Sequence, residues 1–255
     1  MIANLHTHTA RCGHAVGDDE DYAYTAFENG IQVLGFSDHT PYLFPSGYSS
    51  HIRMPVEALD DYIQSVQYIT ELYQGKMDVL LGVEAEYYPA GFAQTLSLLR
   101  DKGIEYMILG QHWVGSEENE PYSGRESDNK DTLNRYCRQA ITAMETGLFT
   151  YFAHPDLIRF VGDGHIYRQA MQTLCRVANA TETPLELNLL GLRNGRHYPN
   201  PEFWAIAAEE NCPVVLGIDA HSPAEFIIGD IERKARDFLA DFNLQIIENP
   251  TVKRI

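Results

Sequence analysis

Seven of the ten histidines fall at the ends of expected β-strands or just beyond them. They occur in Leu5-His6-Thr7-His8, at His14, and in Ser37-Asp38-His39, Gly110-Gln111-His112, Ala153-His154-Pro155 and Gly217-Ile218-Asp219-Ala220-His221. Two carboxylates keep the same position: Glu84 in Gly82-Val83-Glu84, and Asp219. Neutral imidazole and carboxylate bind divalent metal ions where thiolates are absent. If the strands lie side by side, all nine side chains meet at one mouth. That chemistry is hydrolysis by water activated between metal ions.

The elements that must carry these residues follow a regular rhythm. Ile2–His6, Val33–Asp38, Val79–Glu84, Tyr106–Gln111, Tyr151–Ala153, Leu185–Asn188 and Val214–Asp219 read as short buried strands. Amphipathic helices are expected at Asp19–Asn29, Glu57–Tyr73, Ala93–Asp101, Asp131–Thr146, Tyr167–Thr181, Pro201–Asn211 and Ala224–Ala240. Leu59, Tyr62, Ile63, Val66, Ile69 and Tyr73 recur at helical spacing. Strand-then-helix alternation implies a parallel sheet with right-handed crossovers. No glycine-rich phosphate loop follows the first strand, as an open doubly wound sheet would have it. The candidate ligands are spread over nearly every strand end, which a closed or nearly closed barrel explains better.

Bulk properties narrow the function. A length of 255 residues suits one barrel domain, and residues 1–255 read as a single unit. A net charge of −17 argues against a protein that grips nucleic acid. It permits a small anionic substrate, because bound cations reverse the sign locally. The four cysteines form no CxxC pair and read as reduced thiols, with Cys12 non-ligating. No apolar run reaches membrane-spanning length, and cleavage of a leader would remove His6, so a soluble cytoplasmic protein is expected.

Within the motifs, His6 and His8 alternate onto one face of a strand end. Glu84 is favoured over Glu86 because it lies nearer the strand end. The run Asp18-Asp19-Glu20-Asp21 reads as a helix N-terminus. Two long βα connections, Pro41–Met54 and Gly115–Lys130, are expected at the catalytic rim, the second as a mobile surface loop. Arg159 and Arg193 fall near two strand ends and suit bidentate binding of a phosphate, with Arg196 a weaker third candidate.

Taken in order, His6-Thr7-His8, His14, Asp38-His39, Glu84, His112, His154-Pro155 and Asp219-Ala220-His221 resemble the PHP (polymerase and histidinol phosphatase) superfamily over nearly the whole chain. The resemblance implies a distorted (β/α)7 barrel with a centre of about two to three divalent ions, zinc, manganese or iron. One ion would take His6, His8, Glu84 and Asp219. A second would share Glu84 and add His112 and His154. A third would take His14, His39 and His221. His154-Pro155-Asp156-Leu157-Ile158-Arg159-Phe160 and the Asn188–Arg193 segment followed by Tyr198-Pro199 are similar to histidinol-phosphate phosphatases. Leu189, Leu190 and His112-Trp113-Val114 depart from that pattern.

The implied activity is hydrolysis of L-histidinol phosphate or a similar small phosphate ester. Glu84 and Asp219 would organise the centre. Asp38, His39, His197 or water would supply the leaving-group proton. Competing readings are a phosphodiesterase or exonuclease of the same superfamily, an amidohydrolase, and a non-catalytic barrel. An amidohydrolase is disfavoured because no lysine lies at an expected strand end. A degenerate barrel should have lost ligands, and all nine positions are filled.

Overall fold

A computed structural model describes residues Met1–Ile255. Its strands are β1 (Ala3–Asn4), β2 (Val33–Phe36), β3 (Asp78–Ala85), β4 (Tyr106–Gly110), β5 (Phe149–Ala153), β6 (Leu185–Asn188) and β7 (Val214–Gly217). They pair in chain order, every pair parallel. Beyond the ends of β1 and β7, Thr7 bridges Ala220 in parallel. His8 N donates to Ala220 O at 2.9 Å and Ala220 N to His6 O at 3.2 Å. Lower on the same seam, the Asn4 carboxamide oxygen accepts from Ile218 N at 2.9 Å. The seven strands thus form the expected distorted (β/α)7 barrel.

Helices α1 (Asp19–Glu28), α2 (Leu59–Leu72), α3 (Phe92–Asp101), α4 (Lys130–Glu145), α5 (Gly164–Ala180), α6 (Leu189–Arg193) and α7 (Pro201–Glu209) fill the crossovers, and α8 (Gly229–Ala240) follows the last strand. The longer ones bury an apolar stripe. On α2 it is Leu59, Tyr62, Ile63, Val66 and Ile69. No helix is long and apolar enough to cross a membrane.

The barrel interior is plugged below the mouth by Tyr106. Its hydroxyl donates to Leu5 O at 3.0 Å and Phe36 O at 3.2 Å, joining two neighbouring strands. Only glycine admits the ring: a Cβ at Gly82 would lie 2.2 Å from Tyr106 Cε1.

Three expectations need correction, and one helix was not expected. The helix expected over Ala224–Ala240 is a 3-10 turn at Pro223–Phe226 followed by α8, because Ile227 leaves the helical region at ψ 83°. The α5 helix begins at Gly164, three residues early, where the Asp163 side chain caps His165 N and Ile166 N. The five-residue α6, capped by Asn188, is too short to leave a periodic signature. The supposed mobile segment Gly115–Lys130 is sewn down. Gly115 N donates to Gln139 Oε1 at 2.7 Å, Ser123 N to His112 O at 2.7 Å, and Ser127 N to Arg159 O at 3.0 Å.

Candidate metal centre

All nine expected ligands lie at the C-terminal mouth of the barrel. Glu84 is at the middle. Its Oε1 is 3.0 Å from His154 Nε2 and 3.6 Å from His112 Nε2. Its Oε2 is 3.0 Å from His39 Nδ1 and 3.6 Å from both His6 Nε2 and His8 Nε2. Asp219 Oδ1 lies 3.1 Å from His8 Nε2 and 3.4 Å from both His6 Nε2 and His221 Nδ1. The His14 ring stands 5.2 Å from that of His39 and 4.9 Å from that of His221.

Donor atoms converge within 4.8 Å of one another in His6–His8–Asp219, His6–Glu84–His154, His39–Glu84–His112 and His8–His39–His221. Two groups differ from the expected sets: His39 joins Glu84 and His112 where His154 was expected, and His8 stands in place of His14 beside His39 and His221. Backbone geometry serves this convergence. His154 and Asp219 both adopt left-handed conformations, φ 36° and 56°. Such strain costs about 1–3 kcal/mol per residue and is found where function demands it.

The donor set fits metal ions. His6 Nε2, His8 Nε2, His39 Nδ1 and Glu84 Oε2 are buried and make no hydrogen bond within the protein. Each such group costs about 1–3 kcal/mol if left unsatisfied. Bound metal ions would satisfy all four.

Electrostatics agree. Burial alone would keep His8 neutral. The nearby Asp219 and Asp38 carboxylates, with the Glu84 charge, outweigh it and raise its pKa to about 9. Against its burial, Glu186, Asp219 and Glu84 raise His6 well above the ordinary range. Burial and the neighbouring His8 hold His39 well below that range and His221 at about 4. Burial raises the Cys12 thiol to about 12, and its Sγ lies with His8 and Asp38 in a further group of donors within 4.8 Å of one another.

Behind the ligands stands a layer that the sequence reading missed. Glu186 accepts from His6 Nδ1 at 2.8 Å, from His154 N at 3.1 Å and from Asn188 Nδ2 at 3.0 Å. Asn188 Nδ2 also reaches Asp219 Oδ2 at 3.1 Å. Glu86 accepts from His112 Nδ1 at 2.8 Å. These bonds occupy Nδ1 and leave Nε2 free as a donor to metal. The signal was present: Leu185-Glu186-Leu187-Asn188 alternates two apolar with two polar residues in a fully buried strand.

Asp38 belongs to this layer too, which corrects its expected role as a proton donor. It is fully buried and does not line the cavity. It accepts from the Thr9 hydroxyl and from His39 N at 2.8 Å, and lies 3.4 Å from His8 Nδ1. His197 is likewise elsewhere, its Nε2 2.7 Å from Leu157 O.

Over the ligands opens a cavity of about 480 Å³. His14, His39, His112, His154, Asp219 and His221 line its floor, with Trp113, Tyr122, Tyr198 and Arg196 around them. Here the order of the arginines reverses. Arg159 is 46% exposed, pairs with Glu126 at 2.9 Å and does not line the cavity. Arg193 donates to Glu225 O at 2.8 Å and is also outside it. Arg196, the weakest candidate from sequence, faces the cavity and donates to the Tyr198 hydroxyl at 2.7 Å.

Comparison with known proteins agrees with this geometry. A probable histidinol-phosphatase of Deinococcus radiodurans is 31% identical over 246 residues, covering 92% of this chain and 93% of that protein. A probable histidinol-phosphatase of Schizosaccharomyces pombe is 22% identical, covering 88% of this chain and 81% of its own. The crystal structure of histidinol phosphate phosphatase from Lactococcus lactis, complexed with zinc, L-histidinol and phosphate, has the same fold. Its TM-score is 0.73 at 14% identity, over 98% of this chain and 96% of that one. The sequence profile of the PHP domain matches residues 4–189, the stretch that supplies seven of the nine expected ligands. With that match, the ring of strand-end histidines finds its family: the chain belongs to the PHP domain family.

Proposed function

We propose that this chain is a metal-dependent phosphomonoesterase, one domain of 255 residues, acting on L-histidinol phosphate or a similar small phosphate ester. One observation carries the reading: a buried cluster of imidazole and carboxylate donors opens into a small cavity whose arginine, Arg196, faces it. The relatives described as histidinol-phosphatases support it. A cavity of about 480 Å³ suits a small phosphate ester better than a polymer.

His6, His8, Glu84 and Asp219 would hold one ion, Glu84, His112 and His154 a second, and His14, His39 and His221 a third. Such ions, when bound, supply an activated water and a positive field for the phosphoryl oxygens. The protein's own part is positioning. Glu84 and Asp219, ionised and central, would fix the spacing of the site. Arg196 brings a fixed cation to the phosphoryl group and stabilises charge as it develops. The Tyr198 hydroxyl accepts from Arg196, which leaves its own proton free for a substrate oxygen. Burial raises its pKa, so it serves as a donor and not as an acid. Trp113 and Tyr122 provide apolar surface for the leaving group and exclude water.

The test is phosphate release by the zinc- or manganese-loaded protein from histidinol phosphate, simple monoesters and a phosphodiester. Preference for histidinol phosphate is expected. Release from the diester alone, or from none, overturns the reading.

A further inference from the structure

Three imidazoles at the mouth are backed by a carboxylate, but the three pairs are built differently. Behind His6, Glu186 is held by neutral donors of the barrel itself, His154 N and Asn188 Nδ2. Behind His8, Asp38 is held by the Thr9 hydroxyl and His39 N. Behind His112, Glu86 is held by a cation from outside the strands: Arg53 donates through Nη2 to the same Oε1 that accepts from His112 Nδ1. Glu86 is fully buried and Arg53 is 4% exposed.

Arg53 lies at the end of the long connection after β2. Its Nε donates to Glu117 Oε2 at 2.6 Å, on the connection after β4. Ser50 Oγ reaches Glu117 Oε1 at 2.5 Å. The same two connections supply Ile52, Trp113 and Tyr122 to the cavity wall. Arg53 itself does not line the cavity.

We propose that Arg53 is a positioning residue that acts through Glu86 on His112, so that the seating of the two rim connections sets how tightly the Glu84–His112–His154 position holds its metal ion. A buried carboxylate without a countercharge is unstable and moves toward water. Removing Arg53 therefore withdraws Glu86 from His112 Nδ1 and frees the ring to rotate, spoiling the aim of Nε2 toward Glu84. The His6 and His8 positions keep their own carboxylates. The effect falls on one ion and not on all of them. The proposal concerns metal affinity and is independent of the phosphatase reading.

The experiment is chelator competition with zinc alone on the full-length protein, with bound metal counted per chain, for R53M, R53K and E117Q. R53M should weaken one ion by roughly 10- to 100-fold, the range for loss of an outer-layer partner, and leave the others unchanged. R53K keeps the charge and should recover part of the loss. E117Q leaves the Arg53–Glu86 contact in place and should weaken the same ion by less. A folded R53M with wild-type affinity for every ion overturns the proposal, as does equal weakening of all ions. If R53M does not fold, E117Q decides: wild-type affinity for every ion in that variant is then the overturning result.

Discussion

Gly110 lies against the carboxylate of Glu84 so closely that a Cβ at position 110 would stand 1.9 Å from Glu84 Oε1. The glycine is therefore part of the metal centre although it donates nothing. Gly110→Ala should push Glu84 off its position between His154 and His39. We expect the variant to keep its circular dichroism and lose bound metal, with affinity down by roughly 10- to 100-fold or more. Full metal content in a folded G110A protein would rule this out.

Glu186 acts on His6, His154 and Asn188 together. Glu186→Gln keeps the shape but weakens the hold on His6 Nδ1, because a neutral amide replaces a charged acceptor. Metal affinity should fall by roughly 10- to 100-fold. Metal analysis after dialysis checks it, and an unchanged stoichiometry and affinity would falsify the assignment.

The residues that meet at the mouth were legible in the sequence because all but His14, which sits in the loop after β1, fall at or just past a strand end. That regularity is local, and one strand-helix rhythm exposes it. The strand from Leu185 to Asn188 carries no histidine, so its Glu186 escaped notice despite the buried alternation, and Asn188 stood out only as part of a family-like segment. Arginines were ranked by distance along the chain from a strand end. Their long side chains follow partners that the sequence does not reveal: Glu126 draws Arg159 to the surface, and Glu225 ties down Arg193. The break at Ile227 and the fixed course of Gly115–Lys130 are likewise set by tertiary contacts.

The arginine order makes a kinetic prediction. Arg196→Ala should lower kcat/KM for a phosphate monoester by roughly 10- to 100-fold, from charge-assisted bonds worth about 1.5–3 kcal/mol. Arg159→Ala should stay within about twofold, as expected for an exposed pair. Steady-state kinetics on the metal-loaded protein compare them. A larger loss in R159A than in R196A would reverse the assignment.

Metal binding should release protons near neutrality. With His8 at about 9 and His6 also raised, both rings hold a proton at pH 7 that an incoming ion must displace. A group of raised pKa stays protonated until the pH reaches that value. Affinity should therefore climb as pH rises toward 9 and fall as it drops. Zinc titration calorimetry in buffers of different ionisation enthalpy should register about one to two protons released at pH 7. Identical heats in all buffers would contradict it.

Tyr106→Phe addresses the barrel below the site. It leaves the buried carbonyls of Leu5 and Phe36 without their hydroxyl donor. We expect a loss of about 1–3 kcal/mol in denaturant unfolding, with metal content unchanged. Wild-type stability in this variant would show that the carbonyls find other donors.

The barrel closes between its first and last strands by two backbone bonds at His6, His8 and Ala220 and by the Asn4 side chain. His6 and His8 stand on one edge of that seam, and Asp219 and His221 on the other. An ion held by His6, His8 and Asp219 would therefore be a clasp across the seam that closes the ring. Breathing of the barrel and escape of the ion become one event. Amide exchange at His8 and Ala220 would then keep time with metal release, and a bound ion would hold the seam shut.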